Sequence, residues 1–353
     1  MRSRAAILAF PGDPYLLNYW LSLYDRFWQP EIDKLYIHLN STIEPEMVKY
    51  IKDRCDKSKN IYFIYSNVQK EHGQVIAETL DFVTEEYVML IEDDGFIFKS
   101  GAVDHCFLQL ESGNYDIVGS SRGSCAQEIL DQAQKLWNIN YDGEGDQGPN
   151  FWPSFFFTRK DLYDRTDKNF GAKAWYKGDK IAALGDYEVI GDAAYGDTMV
   201  HMSLQLRSVV QKHRILIVPQ YHGHPDDVEH YERKYAYSMF NGIASWCHIG
   251  SLSSGVGGIL RDQNDRALAR RKIDVPKTET ILNPDWCKTD FERREFERRV
   301  QWWARFYDFA DIRNGDDDFY TAYGIAVMQI IAQYKLNTKA IHQRQRIYAT
   351  LGL

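Results

Sequence analysis

Three short clusters in this chain carry residue types that can do chemistry. Glu92-Asp93-Asp94 sets three carboxylates side by side, directly after the apolar run Tyr87 to Ile91. Adjacent carboxylates repel by about 1 kcal/mol per close pair at high dielectric, and by more when buried. The triplet therefore reads either as a solvated turn or as a site whose charge a cation neutralises, and carboxylate oxygens suit Mg²⁺ or Mn²⁺. His222-Gly223-His224 follows the apolar run Ile215 to Val218. An imidazole there either stays solvated or ligates Mn²⁺; a zinc site lacks a neighbouring Cys or third His. Tyr195-Gly196-Asp197-Thr198 precedes apolar residues at helical spacing, Met199, Met202, Leu204, Leu206 and Val209. Asp197 reads as an N-cap, or as a general base that a helix N-terminus keeps ionised. Asp186, Glu188 and Asp192 compete for the same role.

These residues need elements to hold them. Ala5 to Phe10, Lys34 to Leu39, Ile61 to Tyr65 and Tyr87 to Ile91 are short apolar runs of strand type. Tyr15 to Trp28, Glu44 to Asp56 and Gln74 to Val83 have helical spacing, so strands and helices alternate as in a parallel α/β sheet. Such sheets bind ligands at the carboxyl ends of their strands. Those ends carry Pro11-Gly12-Asp13, Asn40-Ser41-Thr42 and Glu92-Asp93-Asp94. Asp116 to Gly119, the aromatic run Phe151 to Thr158 and Ile215 to Val218 continue the strands, and Thr198 to Val210 is helical. Residues 138–150 and 171–196 are rich in Gly, Asp and Tyr and read as long loops near a site. Beyond about residue 228 the pattern turns helical, with a boundary near 225–250.

The order of these pieces resembles the GT-A class of glycosyltransferases, closest to family 2. Phe10-Pro11-Gly12-Asp13 resembles the first strand and its loop. Asn40-Ser41-Thr42 ends the second strand, and Glu71-His72-Gly73-Gln74 opens the helix where the family often has Asn-x-Gly. Tyr87 to Asp94 resembles the strand with the DxD-type motif, Asp116 to Gly119 the next strand, and Phe151 to Phe157 the acceptor-side strand. Gly196-Asp197-Thr198 resembles the Glu-Asp motif, and Ile215 to Pro219 with His222 the last strand and its trailing His. The chain departs from the pattern at three positions: Glu92 opens the acidic motif, Asn40 stands where an Asp often meets the uracil, and Gly196 replaces the usual Glu.

The resemblance covers roughly residues 5–225 and implies a GT-A catalytic domain over 1–225, followed by a mostly helical region over 226–353. It implies a nucleotide-sugar lying across Pro11, Gly12, Asp13, Asn40, His72, Gly73, Glu92 and Asp93. It further implies Mn²⁺ or Mg²⁺ held by Asp94 with His222, and Asp197 as base in an inverting transfer. Trp137, Trp152, Phe155, Trp175 and Tyr176 are candidates for the acceptor wall, with Asp186 and Glu188 near it. The implied acceptor is a glycan, a small molecule, or hydroxymethylated pyrimidines in DNA. The last option draws on Arg293, Arg294, Arg298, Arg299 and Arg305, which equally suit a solvated helix with Glu295–Arg299 pairing.

Composition bounds these readings. The chain has 353 residues, 44% hydrophobic and 26% charged, which is globular usage and excludes disorder or a coiled coil for the whole. A net charge of −8 excludes a strongly basic nucleic-acid footprint. Five widely spaced cysteines without a C-x-x-C suggest neither a disulfide framework nor a zinc ribbon. The N-terminal apolar run is too short for a signal peptide, and Gln329 interrupts the apolar stretch at 324–332, so a soluble cytoplasmic protein is expected. Three rival activities share these features. A nucleotidyltransferase lacks its Gly-rich basic loop here; a metal-dependent phosphoesterase draws on Asp93, Asp94, His222 and His224; a non-catalytic sugar-binding module needs only the aromatics.

Overall fold

The computed structural model describes residues 3–10, 17, 20–21, 23–40, 45–93, 95–97, 100–141, 148–218, 236–240 and 243–248, the last two segments as backbone apart from Trp246. Seven strands form the central sheet: Arg4–Phe10 (β1), Lys34–Asn40 (β2), Ile61–Ser66 (β3), Tyr87–Glu92 (β4), Ile117–Arg122 (β6), Asn150–Arg159 (β7) and Ile215–Ile217 (β12). Gly95–Ile97 (β5) lies between β4 and β6 in the chain. It pairs with Ile243–His248 (β14), which pairs with Ala236–Phe240 (β13). Lys173–Tyr176 (β8) with Ala193–Gly196 (β11), and Lys180–Ile181 (β9) with Tyr187–Glu188 (β10), make two small ribbons. Among the described residues the α-helices with both ends described are Pro45–Cys55 (α1), His72–Leu80 (α2), Ala102–Glu111 (α3), Gln127–Trp137 (α4) and Val200–Val209 (α5), with short π- and 3-10 turns between elements.

The spatial order is β12-β6-β7-β4-β1-β2-β3. All neighbours run parallel except β7, which is antiparallel to both β4 and β6. The architecture is thus the α/β, mostly parallel sheet flanked by helices that the alternation of periods predicts. β1, β2 and β4 are almost wholly buried because both faces are covered; β3 is at the edge and mixes partly buried and exposed residues. Phe151 and Phe156 of β7 join a core with Met202 and Leu206 of α5, and Phe157 on the opposite face meets Phe107 of α3 edge-on at 5.1 Å. Each such fully buried side chain contributes about 1.5–3 kcal/mol through removal from water. A Cβ on Gly119 would lie 3.0 Å from the Phe155 carbonyl oxygen, at the irregularity where β6 crosses β7.

Two expectations change here. Residues 171–196, expected as loop, hold both small ribbons; their Gly and Asp residues form the turns, and Trp175, Ile181, Val189 and Ala194 pack into a second core with α4 and α5. Residues 236–240 and 243–248, where the pattern turned helical, are strands; the inferred helices beyond 250 lie outside the described residues. Cys55, Cys106 and Cys125 are free thiols. No helix among the described residues is long and apolar enough to cross a membrane.

His38, on β2, is 2% exposed and bonded to Thr79 Oγ1 at 2.8 Å and Ser66 Oγ at 2.6 Å. Burial pushes its pKa below the ordinary histidine value, so the native state holds it neutral while the unfolded chain binds a proton. His38 therefore contributes stability that is fully present above about pH 6.5 and is lost as pH falls below it. Urea melts at pH 7.5 and 5.5 are expected to show that loss, and His38→Asn to reduce the difference between the two pH values.

Candidate functional site

The site begins where β4 ends. Glu92 is the last residue of β4, and Asp93, 7% exposed, follows in the turn to β5. The Ser154 hydroxyl of β7 donates to Glu92 Oε2, and His72 Nδ1 lies 3.8 Å from Glu92 Oε1. Trp246 Nε1 donates to the Ser154 carbonyl oxygen at 3.0 Å, and Trp20 Nε1 to the Gly95 carbonyl oxygen at 2.9 Å. Gly95 is closely packed: an added Cβ would be 3.2 Å from Ser154 O and 3.3 Å from Glu92 O. The acidic turn is therefore held from both sides by backbone and indole contacts. Its adjacent carboxylates are the hard oxygen donors that Mg²⁺ and Mn²⁺ take, with an imidazole beside them. Among the described residues, no three His, Cys, Asp or Glu side chains form a complete metal-binding group. Asp94 and His222, along with Pro11, Gly12 and Asp13, lie outside the described residues.

Asn40, implied by the resemblance to meet the nucleotide, also holds the backbone of the site. Its Nδ2 donates to the Lys70 carbonyl oxygen at 2.8 Å, and its Oδ1 accepts the Lys70 N–H at 2.8 Å. Both ends of the amide are engaged, so Asn40 positions the chain entering α2, where Glu71 and His72 sit. Gly73 is a packing residue as well: a Cβ there would be 2.3 Å from Gly171 N and 2.4 Å from Phe170 C.

Asp197 is on the same edge of the sheet. β6 runs parallel to β4, since both are antiparallel to β7, and Ser124 lies just past the carboxyl end of β6. The Asp197 N–H donates to Ser124 O at 3.0 Å, and Cys125 bridges Gly196. Asp197 is exposed and is not the N-cap. α5 starts at Val200 behind Met199, whose φ of 75° turns the chain into the helix. Asp197 Oδ1 instead accepts the Thr198 N–H at 2.8 Å. The helix begins later than expected because Met199 N–H is bonded to Phe170 O at 2.7 Å. Burial, then the charges of Asp197 and Glu71, raise the pKa of the Tyr195 phenol. A side chain at Gly196 has no space, its Cβ falling 2.7 Å from Val200 Cγ1 and 3.1 Å from the Trp175 ring, which accounts for the missing Glu of the resemblance.

The remaining candidates divide. Trp152 is 4% exposed, meets Trp246 edge-on at 5.6 Å and carries the Arg122 guanidinium 4.4 Å above its ring. Phe155 and Trp175 are core, and Trp137 packs against the second core; Tyr176 is 62% exposed. Asp186, at a φ of 57°, and Glu188, opposite Lys180 on the β9–β10 ribbon, are exposed and make no hydrogen bond or ion pair with Glu92, Asp93 or Asp197. Ser154, Trp246 and Phe170-Gly171 are the supporting residues that sequence reasoning missed. Trp246 and Phe170 carry no local signal, and Ser154 shows one only in sharing its strand parity with Trp152.

No family model matches the chain, and no curated protein matches it. Distant solved structures do. Residues 1–349 of S. aureus TarS in complex with UDP align at 13% identity over 48% of this chain and 50% of that one, with a TM-score of 0.34. Glucosyl-3-phosphoglycerate synthase from Mycobacterium tuberculosis, in complex with phosphoglyceric acid, aligns at 12% identity over 46% and 59%, with a TM-score of 0.34. The matches span about half the length of these proteins, a likeness too distant to assign chemistry.

The close approach at Gly73 gives a direct check on the frame of the site. Gly73→Ala is expected to destabilise the protein by about 1–3 kcal/mol in urea unfolding, as overpacking against backbone does. A midpoint equal to wild type would show that α2 does not bear on residues 170–171.

Proposed function

We propose that the chain is a metal-dependent glycosyltransferase that moves a sugar from a nucleotide-sugar donor to an acceptor hydroxyl. The observation that supports this reading is a convergence at one edge of the sheet. Glu92 ends the central strand β4 with Asp93 next in the turn, while Asp197 is tied to the end of β6. A donor across the strand ends would have its diphosphate at the acids and its sugar toward Asp197.

In this reading Glu92 and Asp93, with Asp94 and His222 from outside the described residues, would hold Mg²⁺ or Mn²⁺. Such an ion would offset charge on the departing diphosphate. The Ser154 hydroxyl and His72 orient Glu92. Asp197 accepts the proton of the acceptor hydroxyl as that oxygen attacks the anomeric carbon. The new carbon–oxygen bond forms as the bond to the diphosphate breaks, the nucleoside diphosphate leaves with the electron pair, and the configuration inverts. Asp197 suits the role because it is exposed and its Oδ1 accepts the Thr198 N–H at 2.8 Å.

Two measurements test the proposal. A panel of UDP-, GDP- and CMP-sugars, titrated calorimetrically with and without Mn²⁺, is expected to contain one donor whose binding needs the ion and disappears in Asp94→Ala. With that donor, Asp197→Asn is expected to keep donor binding and to lose transfer by about 10²–10⁴-fold, the usual contribution of a positioned base. Full turnover in Asp197→Asn removes the base assignment; metal-independent binding of every donor removes the metal.

A further inference from the structure

The β8–β11 ribbon has two unlike faces. Direct pairing of Ala174 with Tyr195 and of Tyr176 with Ala193 puts these four residues on one face, and Trp175 with Ala194 on the other. The second face is core: Trp175 is 4% exposed and Ala194 is 0%. The first face is open, with Tyr195 54% and Tyr176 62% exposed. The two tyrosines are diagonal neighbours across the ribbon, about 7–8 Å apart in backbone terms, which lets their rings form one strip. The alanines at the other diagonal leave both rings uncovered; a long side chain at 174 or 193 would lie over them.

The strip leads into the site. Tyr195 is two residues before Asp197, its carbonyl oxygen accepts the Ala126 N–H at 2.7 Å just past the end of β6, and burial, then the charges of Asp197 and Glu71, raise the pKa of its phenol. We infer that Tyr195 and Tyr176 form an acceptor platform for a neutral carbohydrate chain, which lies across the ribbon with its reacting hydroxyl at Asp197. This deepens the transferase reading and rests on it only for the role of the bound chain as acceptor. The chemistry on each side is complementary. A pyranose presents a face of C–H bonds carrying slight positive charge, and an aromatic face is negative, while the phenol hydroxyls can bond to ring substituents. The two carboxylates at the inner end of the strip disfavour a polyanion, so the platform suits a neutral glycan rather than a nucleic-acid backbone.

The test uses the full chain with maltotetraose, cellotetraose, chitotetraose and mannotetraose, read by saturation-transfer NMR and calorimetry, with a short DNA duplex as the anionic rival. At least one tetrasaccharide is expected to bind. Tyr176→Ala and Tyr195→Ala are each expected to weaken that binding about tenfold, and Tyr195→Phe to retain most of it, since the ring persists. Both tyrosines are exposed, and thermal melts of the variants verify that the fold is kept. The inference is overturned if no tetrasaccharide binds, if the alanine variants bind as wild type does, or if the duplex binds in their place. Donor titration of the same samples separates the two readings. Tyrosine-dependent glycan binding without any nucleotide-sugar binding defeats the transferase and leaves the platform. Nucleotide-sugar binding without glycan binding does the reverse.

Discussion

Gly73 touches the backbone of Phe170 and Gly171 so closely that no side chain fits between them, and Phe170 accepts the N–H of Met199. Segment 170–171 is therefore a crosspiece between the start of α2 and the start of α5. The first carries Glu71 and His72; the second follows Asp197. Neither helix belongs to the same stretch of chain, and the sheet alone does not fix one against the other. Much of the site's geometry depends on this contact, because a shift of about 1 Å between reacting groups can cost about a hundredfold in rate.

The acidic turn is held by a different device. Carboxylates at a strand end tend to splay into water, which lowers their mutual repulsion. Here the Ser154 hydroxyl engages Glu92, and Trp246 and Trp20 anchor the backbone carbonyls of Ser154 and Gly95. Trp246 arrives from a strand far along the chain and closes over β5 and β7. The antiparallel β7 makes this possible: its amino end, with Trp152 and Ser154, lies at the edge where the parallel strands have their carboxyl ends. A wholly parallel sheet would put those residues at the opposite edge.

Structural roles fall on several of the expected binding positions for one physical reason. Asn40 uses its amide on Lys70, and Gly73 leaves no room for a Cβ against the backbone of residues 170–171. Gly196, likewise, is glycine because Val200 and Trp175 leave no space. Residues beside a site must also build it, and a sequence motif does not distinguish the two duties.

The sequence by itself determined the α/β class, the strands carrying Ala5, Lys34, Ile61 and Tyr87, and the location of Glu92-Asp93 at a strand end. These features are local: an apolar run covered on both faces and a charged turn are written in consecutive residues. It did not determine the ribbons within 171–196, the reversal of β7, the start of α5 at Val200, or the strands at 236–240 and 243–248. Ribbons of two to four residues are too short for a periodic signal, and strand direction leaves no mark on the pattern of a strand buried on both faces. The pairing of Tyr195 with Ala174, the closure of Trp246 over Ser154 and the crosspiece at Phe170-Gly171 are contacts between distant residues, so only the tertiary structure could decide them.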